Sequence, residues 1–492
     1  MENTLREILR AVEPLAADRQ TRCYILQELQ GAVQSVESLR GATVEPFGSF
    51  VSELFTRWGD LDVSIEFSKG SYISSYGRKH TQEVLRDLMR AMRQRGGWNK
   101  YQFIANARVP ILMVKSALEN ISCDISVNNL KAQMKSKLLL WITEIDPRFR
   151  DMVLLVKEWA KTHNINNSKS GTFNSYSLSL LVVFHFQTCV PAILPPLKDI
   201  YPDSLTDDLK GLRDDAEKRI ETSCVDNIRR FKLNKLRAQN KSSLSELFIS
   251  FLGKFSGISS KAVELGICTY SGKWEAVESN MGWLPKTYCI LVEDPFDRPE
   301  NTTRGVGKRG LERISEAFEM SRDRLISARY NSSFAIESSF LATLVRPHTL
   351  HFIRNPGYNS KRHHATHPQR FMSESSHSRT PREYNGLRKP TGSQVQQSVH
   401  PSPQVQPQPR KPVHSSTQVQ PQPRKPVHSS PHVQPQLRKP VHLSSPVQPQ
   451  VRKSVHLSSQ LQSPLQKMKP EKTQMLQTYQ EWRPKKSGLQ TI

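Results

Sequence analysis

VEPFGSFVSELFTRWGDLDVSIEF, residues 44–67, predicts a short strand, a Gly-Ser turn, one or two helical turns, then a strand bearing two carboxylates. Gly48 permits a close backbone approach, or a φ that a side chain forbids. Ser49 adds a hydroxyl and a backbone N–H at the expected start of a helix, a seat for phosphate. Asp60 and Asp62 stand two apart in a β-type run with Leu61, Val63, Ile65 and Phe67, so the pattern projects both from one face of a sheet. Carboxylates side by side repel each other unless a cation sits between them. The plain alternative, a charged turn before a strand, needs neither the Gly-Ser step nor the same-face spacing.

Further along, a Gly/Ser/Tyr-rich loop at 68–77 precedes a helix at about 80–95 (Val84, Leu85, Leu88, Met92) that stops at Gly96-Gly97. Three strand-like runs follow, Tyr101–Ala105, Val109–Val114 and Ile121–Val127. In the last, ISCDISV, Asp124 shares a face with Ser122 and Ser126, while Ile121, Cys123, Ile125 and Val127 take the other. A third carboxylate is thus expected to face Asp60 and Asp62 from a neighbouring strand of a small mixed α/β unit. Three acidic groups converging on hard cations suit two-metal phosphoryl transfer, one ion activating an attacking hydroxyl and the other steadying the leaving pyrophosphate.

A Gly-Ser turn, an Asp-x-Asp after it and a third Asp on a later strand resemble the polymerase beta-type nucleotidyltransferase superfamily. Within it the chain is similar to the terminal uridylyltransferases and non-canonical poly(A) polymerases, over roughly residues 15–325. The resemblance implies that Asp60, Asp62 and Asp124 are catalytic and hold Mg²⁺ (or Mn²⁺), with Gly48, Ser49 and Asn129 at the nucleotide.

Four later stretches carry the resemblance further. In DMVLLVKEWAKTHNI, from Asp151, Met152, Leu155, Val156 and Trp159 form an apolar stripe, and Lys157 and Lys161 share another helix face. By itself that face reads as solvated; the resemblance makes both lysines triphosphate ligands. In SGTFNSYSLSLLVVFHFQ, Ser175 and Tyr176 precede a buried helix, where a Ser-Tyr pair alone reads as a cap. The resemblance puts the hydroxyl on phosphate and the ring on the base. SLSELFISFLGKFS, from Ser243, resembles the opening of a poly(A)-polymerase-associated region. In CILVEDPFDRPENTTRGV, Asp294 and Asp297 match base-facing acids and Arg304 an RNA-facing arginine.

Two positions depart from the pattern. Pro299-Glu300 stands where several uridylyltransferases carry a His that excludes purines, and Lys135 stands where many relatives have an Asn that touches the ribose.

Charge points to a polyanion. The 492 residues carry a formal +25, of which residues 361–492, with 21 Lys/Arg against 4 Glu, hold +17. In that segment Arg-Lys recurs at 410, 424, 438 and 452 within a unit close to QVQPQxRKPVHxSS, four 14-residue repeats. Few large apolar groups and many prolines predict disorder. The repeats suit salt-dependent contact with an RNA backbone, display of short motifs to a protein partner, or a passive solubilising tail. Ser-Pro sites at Ser402, Ser430, Ser445 and Ser463 are candidates for phosphorylation, and Tyr479–Trp482 with Leu489 for a short docking element.

No apolar run approaches the roughly 20 residues that span a bilayer, so no membrane partner is expected, and MENTLREILRAVEPL lacks the apolar core of a signal peptide. Six scattered cysteines without a Cys-x-x-Cys pair predict a reducing compartment, cytoplasm and nucleus.

The expected architecture is an α/β nucleotidyltransferase palm with a mixed sheet at 41–135. N-terminal helices at 1–40 pack on a mainly α-helical domain at 136–330, whose poly(A)-polymerase-associated region is about 244–305. A disordered tail occupies 360–492. The resemblance is strongest to plant uridylyltransferases that tail small RNAs and cleaved RNA fragments marked for decay. It implies an RNA 3′ end and UTP as substrates, and an Argonaute-type protein as partner of the tail. A poly(A) polymerase of the same build is the alternative, and a non-catalytic RNA-binding scaffold the alternative of another class.

Overall fold

The computed structural model describes residues 1–67, 72–73, 77–284, 288–330 and 341–355. Most of the 68–77 loop and the whole 360–492 tail, with its repeats, Ser-Pro sites and closing aromatic segment, lie outside the described residues. The described residues fall within one compact unit, Met1–Ser378.

Its first layer is a five-stranded mixed sheet: β1 (Thr43–Phe47), β2 (Leu61–Glu66), β3 (Trp98–Ile104), β4 (Ile111–Ser116) and β5 (Ser122–Val127), in the order β1-β2-β5-β4-β3. Only β2 and β5 run parallel, because a crossover of some 55 residues separates them in sequence. β1 contains Pro46, tolerated because the strand forms an edge. Helices α1 (Glu2–Val12) and α2 (Ala16–Gln34) precede the sheet, and α3 (Arg78–Arg95) ends at Gly96 with φ +75°.

The second layer is helical: α4 (Leu130–Thr143), α5 (Pro147–Thr162), α6 (Ser175–Gln187), α7 (Leu205–Asp208), α8 (Arg213–Leu233), α9 (Leu244–Phe255), α10 (Ile258–Lys261) and α11 (Lys308–Tyr330). Asp146 caps α5 with Pro147 as its first residue, and Ser243 with Glu246 forms a capping box on α9. The predicted stripe Met152, Leu155, Val156 and Trp159 is buried, and Phe251, Phe255 and Phe318 meet around it. A hairpin of β6 (Leu265–Cys268) and β7 (Lys273–Ala276) interrupts the helices.

Three local expectations differ. Residues 48–53 form hydrogen-bonded turns rather than a regular helix, closed by Ser52 N to Gly48 O and Leu54 N to Ser49 O. The two N-terminal helices divide: α1 packs on α5 and α9, whereas α2 packs on β1 and α3 of the sheet layer. A further helix, α12 (Pro347–Arg354), occupies a stretch to which the sequence assigned no element and returns to pack on α1.

Candidate active site

Parallel pairing of β2 with β5 places Asp62 directly opposite Asp124. Register partners on adjacent strands project to one side, with backbones about 4.8 Å apart. Both carboxyls are half-buried. Burial, and next the Asp124 and Asp60 carboxylates, push Asp62 up to about 7 against the opposing Lys157 cation and Ser49 amide. Burial and Asp60 push Asp124 up to about 6. Asp60 lies just ahead of β2 rather than within it, and is exposed.

Gly48 is the close approach the turn requires. Its φ is +69°, and a Cβ there would stand 2.0 Å from Asp62 Oδ2. Its amide donates to Ser136 Oγ at 2.7 Å, fixing the turn on α4.

Among the described residues no three His, Cys, Asp or Glu side chains form a ready-made metal cage, so the acids do not enclose an ion by themselves. The donor set nevertheless fits magnesium. That ion is commonly held by one or two carboxylates and completes its shell with water and substrate phosphates. Asp124 Oδ1 is buried without a hydrogen-bond partner, and its carboxylate is crowded by like charge, as an acceptor awaiting a cation or a proton would be.

Lys157 and Lys161 sit on α5 beside these acids, but in different states. Lys157 is buried and donates to Leu54 O at 2.7 Å; burial, then Lys161, pull its amine down to about 7. Lys161 is half-buried and, among the described residues, makes no hydrogen bond or ion pair. Ser175 opens α6, but Asn174 is the cap; Ser175 is exposed, and among the described residues its hydroxyl meets Asn166.

Tyr176 donates to Asp294 Oδ1 at 3.1 Å. Asn129 caps the β5–α4 turn, its amide N donating to Ser64 Oγ and its side chain to Ser126 Oγ.

Asp294 and Asp297 differ from the reading as open acceptors for a base edge. Both are buried, and protein donors occupy their oxygens. Lys135 Nζ meets Asp294 Oδ2 at 2.6 Å, while Lys131 Nζ and Thr206 Oγ1 meet Asp297 Oδ1 at 2.9 and 3.1 Å. Burial acts to raise the Asp297 carboxyl, but Lys131 and Lys135 bring the net shift below the usual range. Farther out, Glu300 pairs with Arg108 at 2.6 Å and with Arg304 at 3.4 Å. The Asp294–Arg304 loop is therefore clasped to α4 and to the loop before β4 by salt bridges between residues about 160–190 apart in sequence. Buried Asn301 shapes it from within, accepting from the Val292 and Thr303 amides and donating to Ile290 O.

Residues 1–144 match the family model described as the central palm domain of mitochondrial-like poly(A) RNA polymerase. Protein HESO1 of Arabidopsis thaliana is 57% identical over 327 residues, 66% of this chain and 64% of that protein. Poly(A) RNA polymerase GLD2 of Mus musculus is 30% identical over 227 residues, 46% of this chain and 44% of that protein. Terminal uridylyltransferase cid1 of Schizosaccharomyces pombe is 28% identical over 309 residues, 58% of this chain and 70% of that protein. The chain is thus similar to a terminal uridylyltransferase and to a poly(A) RNA polymerase over about half of its length. It spans less than two thirds of the length of HESO1 and of GLD2.

Solved polymerase structures share the fold. A crystal structure of mtPAP in complex with UTP superposes with a TM-score of 0.55 at 21% identity, covering 70% of this chain and 73% of that one. One of the Cid1 poly(U) polymerase with MgGTP bound gives 0.53 at 24%, covering 69% and 98%. Cations that sequence reading left without a site role, Arg108 and Lys131, belong to the clasp, as does Lys135, noted before only as a departure. Their signal was basic residues before β4 and along α4, ambiguous until the acidic loop is known to face them.

Lys135→Ala is expected to lower stability by about 3 kcal/mol, because it leaves the Asp294 carboxylate buried without its cation. A Lys135→Ala/Asp294→Asn double variant should lose less than the sum of the two single changes. Urea unfolding of the four proteins measures this.

Proposed function

We propose that the chain is a template-independent RNA uridylyltransferase that adds uridines from UTP to RNA 3′ ends. The observation that carries the proposal is the in-register Asp62–Asp124 pair beneath the Gly48 turn. Similarity to cid1 and HESO1 supports uridine as the base. Asp60, Asp62 and Asp124 would hold magnesium or manganese, which supplies charge stabilisation to the attacking 3′ oxygen and the departing pyrophosphate.

The chain's own groups do the rest. Asp124, whose Oδ1 has no hydrogen-bond partner, draws the proton from the RNA 3′-hydroxyl. The 3′ oxygen then bonds to the α-phosphorus of UTP as the bond to the β-phosphate breaks, and pyrophosphate leaves. Ser49, Lys161 and Ser175 orient the triphosphate, while Lys157, bonded to Leu54 O, supports the Asp62 wall with its charge. Tyr176, held by Asp294, offers its ring to the base.

The substrates on this reading are small RNAs or cleaved fragments destined for decay, in the cytoplasm and nucleus. The six cysteines, all free, suit that reducing environment. The basic tail engages RNA or an Argonaute-type partner.

Incubating the protein and a labelled RNA with Mg²⁺ and one nucleotide at a time tests the proposal. UTP alone should give a ladder of extended products and ATP markedly less. Extension by ATP alone would make the protein a poly(A) polymerase. RNA binding without incorporation in Mg²⁺ or Mn²⁺ would make it a scaffold.

A further inference from the structure

Glu158 lies on α5 one turn before Lys161, with its side chain fully buried at 0% exposure. A carboxylate so placed must be paired. Among the described residues its side-chain partners are Arg346, just before α12, and Thr349, in the first turn of α12. Arg346 donates from its backbone N at 3.1 Å, from Nε at 3.2 and 3.1 Å to the two oxygens, and from Nη2 at 2.7 Å. Thr349 Oγ1 donates at 2.6 Å. Burial acts to raise the Glu158 carboxyl, yet these bonds bring it below the usual range.

The same segment is anchored beside the carboxylates. Trp58, two residues before Asp60, packs against His348 and Phe352 with ring centroids 4.5 and 5.5 Å away, and the Arg346 guanidinium lies 5.7 Å from its ring. Thr343 O lies 3.0 Å from His163 Nε2, just past the end of α5.

Lys161 stands three residues after Glu158, a neighbouring position on the same helix. Burial, then the Arg346 cation, pull its amine below the usual lysine range, with Asp60 and Glu158 opposing. Without Arg346, the Glu158 carboxylate would be a buried anion short of its compensating cation, and the Lys161 ammonium already feels its charge. In so weakly solvated a place that attraction is strong.

We propose that Arg346 is a positioning residue for nucleotide binding: its forked pair with Glu158 keeps the Lys161 ammonium unpaired and available to the UTP triphosphate. The inference rests on the reading of Lys161 as a triphosphate ligand. It makes a helix outside the palm and the central helical layer part of the nucleotide site.

Two measurements on the full chain test it: steady-state RNA extension against UTP concentration, and acetylation of Lys161 by acetic anhydride, read by mass spectrometry. Arg346→Ala should raise KM for UTP about tenfold while kcat changes far less, and should slow Lys161 acetylation. Arg346→Ala/Glu158→Gln removes the competing anion, leaves no unpaired buried charge, and should restore both readouts. Arg346→Lys should keep both near the parent. A merely structural role would give equal defects in Arg346→Ala and in the double variant, and that result, or unchanged acetylation in Arg346→Ala, overturns the pairing. Acetylation that responds as expected while KM does not would instead overturn the reading of Lys161 as a triphosphate ligand.

Discussion

Asp62→Asn should lower RNA extension about 100-fold or more and leave the fold as stable as the parent, or more so. The two effects have one cause. Asp62 faces Asp124 across a parallel register, and burial together with like charge pushes it up to about 7. Holding that carboxylate ionised costs folding free energy, so replacing it by a neutral amide of the same shape relieves the repulsion. On the proposed function the charge is retained because the reaction needs it: deleting one preorganised electrostatic group at a reacting phosphate or carbonyl costs on the order of 3 kcal/mol of transition-state stabilisation.

Divalent cation should separate the two proteins. Mg²⁺ should raise the melting temperature of the parent, since it binds the folded state only, and should raise that of Asp62→Asn much less. Melting curves with and without Mg²⁺, beside an extension assay, read both effects. Equal Mg²⁺ stabilisation of the two proteins would remove Asp62 from the metal site.

Gly48→Ala should be nearly as damaging, though the new methyl group carries no charge. At φ +69° an Ala is strained, and its Cβ would stand 2.0 Å from Asp62 Oδ2, so the turn or the carboxylate must move. The expected loss is about 1–3 kcal/mol of stability and, because Asp62 is displaced, about 100-fold in extension rate. Gly41→Ala isolates the contact from the strain. Gly41 has a similar φ of +85° but open space around its Cβ. It should lose about 1 kcal/mol and retain activity. Denaturant unfolding and extension assays on both variants decide; equal activity losses would put backbone strain, rather than the crowding of Asp62, in control.

The palm was largely legible in the sequence because its signals are local. Alternation in ISCDISV marks β5 and the inward face of Cys123 and Ile125, and Gly96-Gly97 stops α3 close to the predicted point. The pairing of Asp62 with Asp124 was expected only as two strands being neighbours; the residue-to-residue register is a tertiary fact. Asp60 falls outside the strand, and the Gly-Ser turn is not a helix, since short elements are decided by packing more than by propensity.

Residues whose partners are far away in sequence were hidden for a different reason. Lys131 carried no sign of a role in the sequence, and Lys135 stood out only as a departure from the family pattern, until Asp294 and Asp297 close on them. Nothing in the sequence singled out Glu158, whose full burial follows only once Arg346, 188 residues on, supplies the compensating charge. α12 offered a proline at its first position and a short apolar run, too little for periodicity to register.

By itself, then, the sequence marked the residues on which the proposed chemistry rests. Gly48, Asp62 and Asp124 at their spacings specify a tight turn and an acidic strand pair, because backbone freedom and side-chain alternation are properties of neighbours along the chain. Tertiary structure alone decided which charges are available to substrate. A charge in a low-dielectric interior takes the state its nearest opposite allows, and for Asp294, Asp297, Glu158 and Lys161 the residues that set this state come from distant parts of the chain.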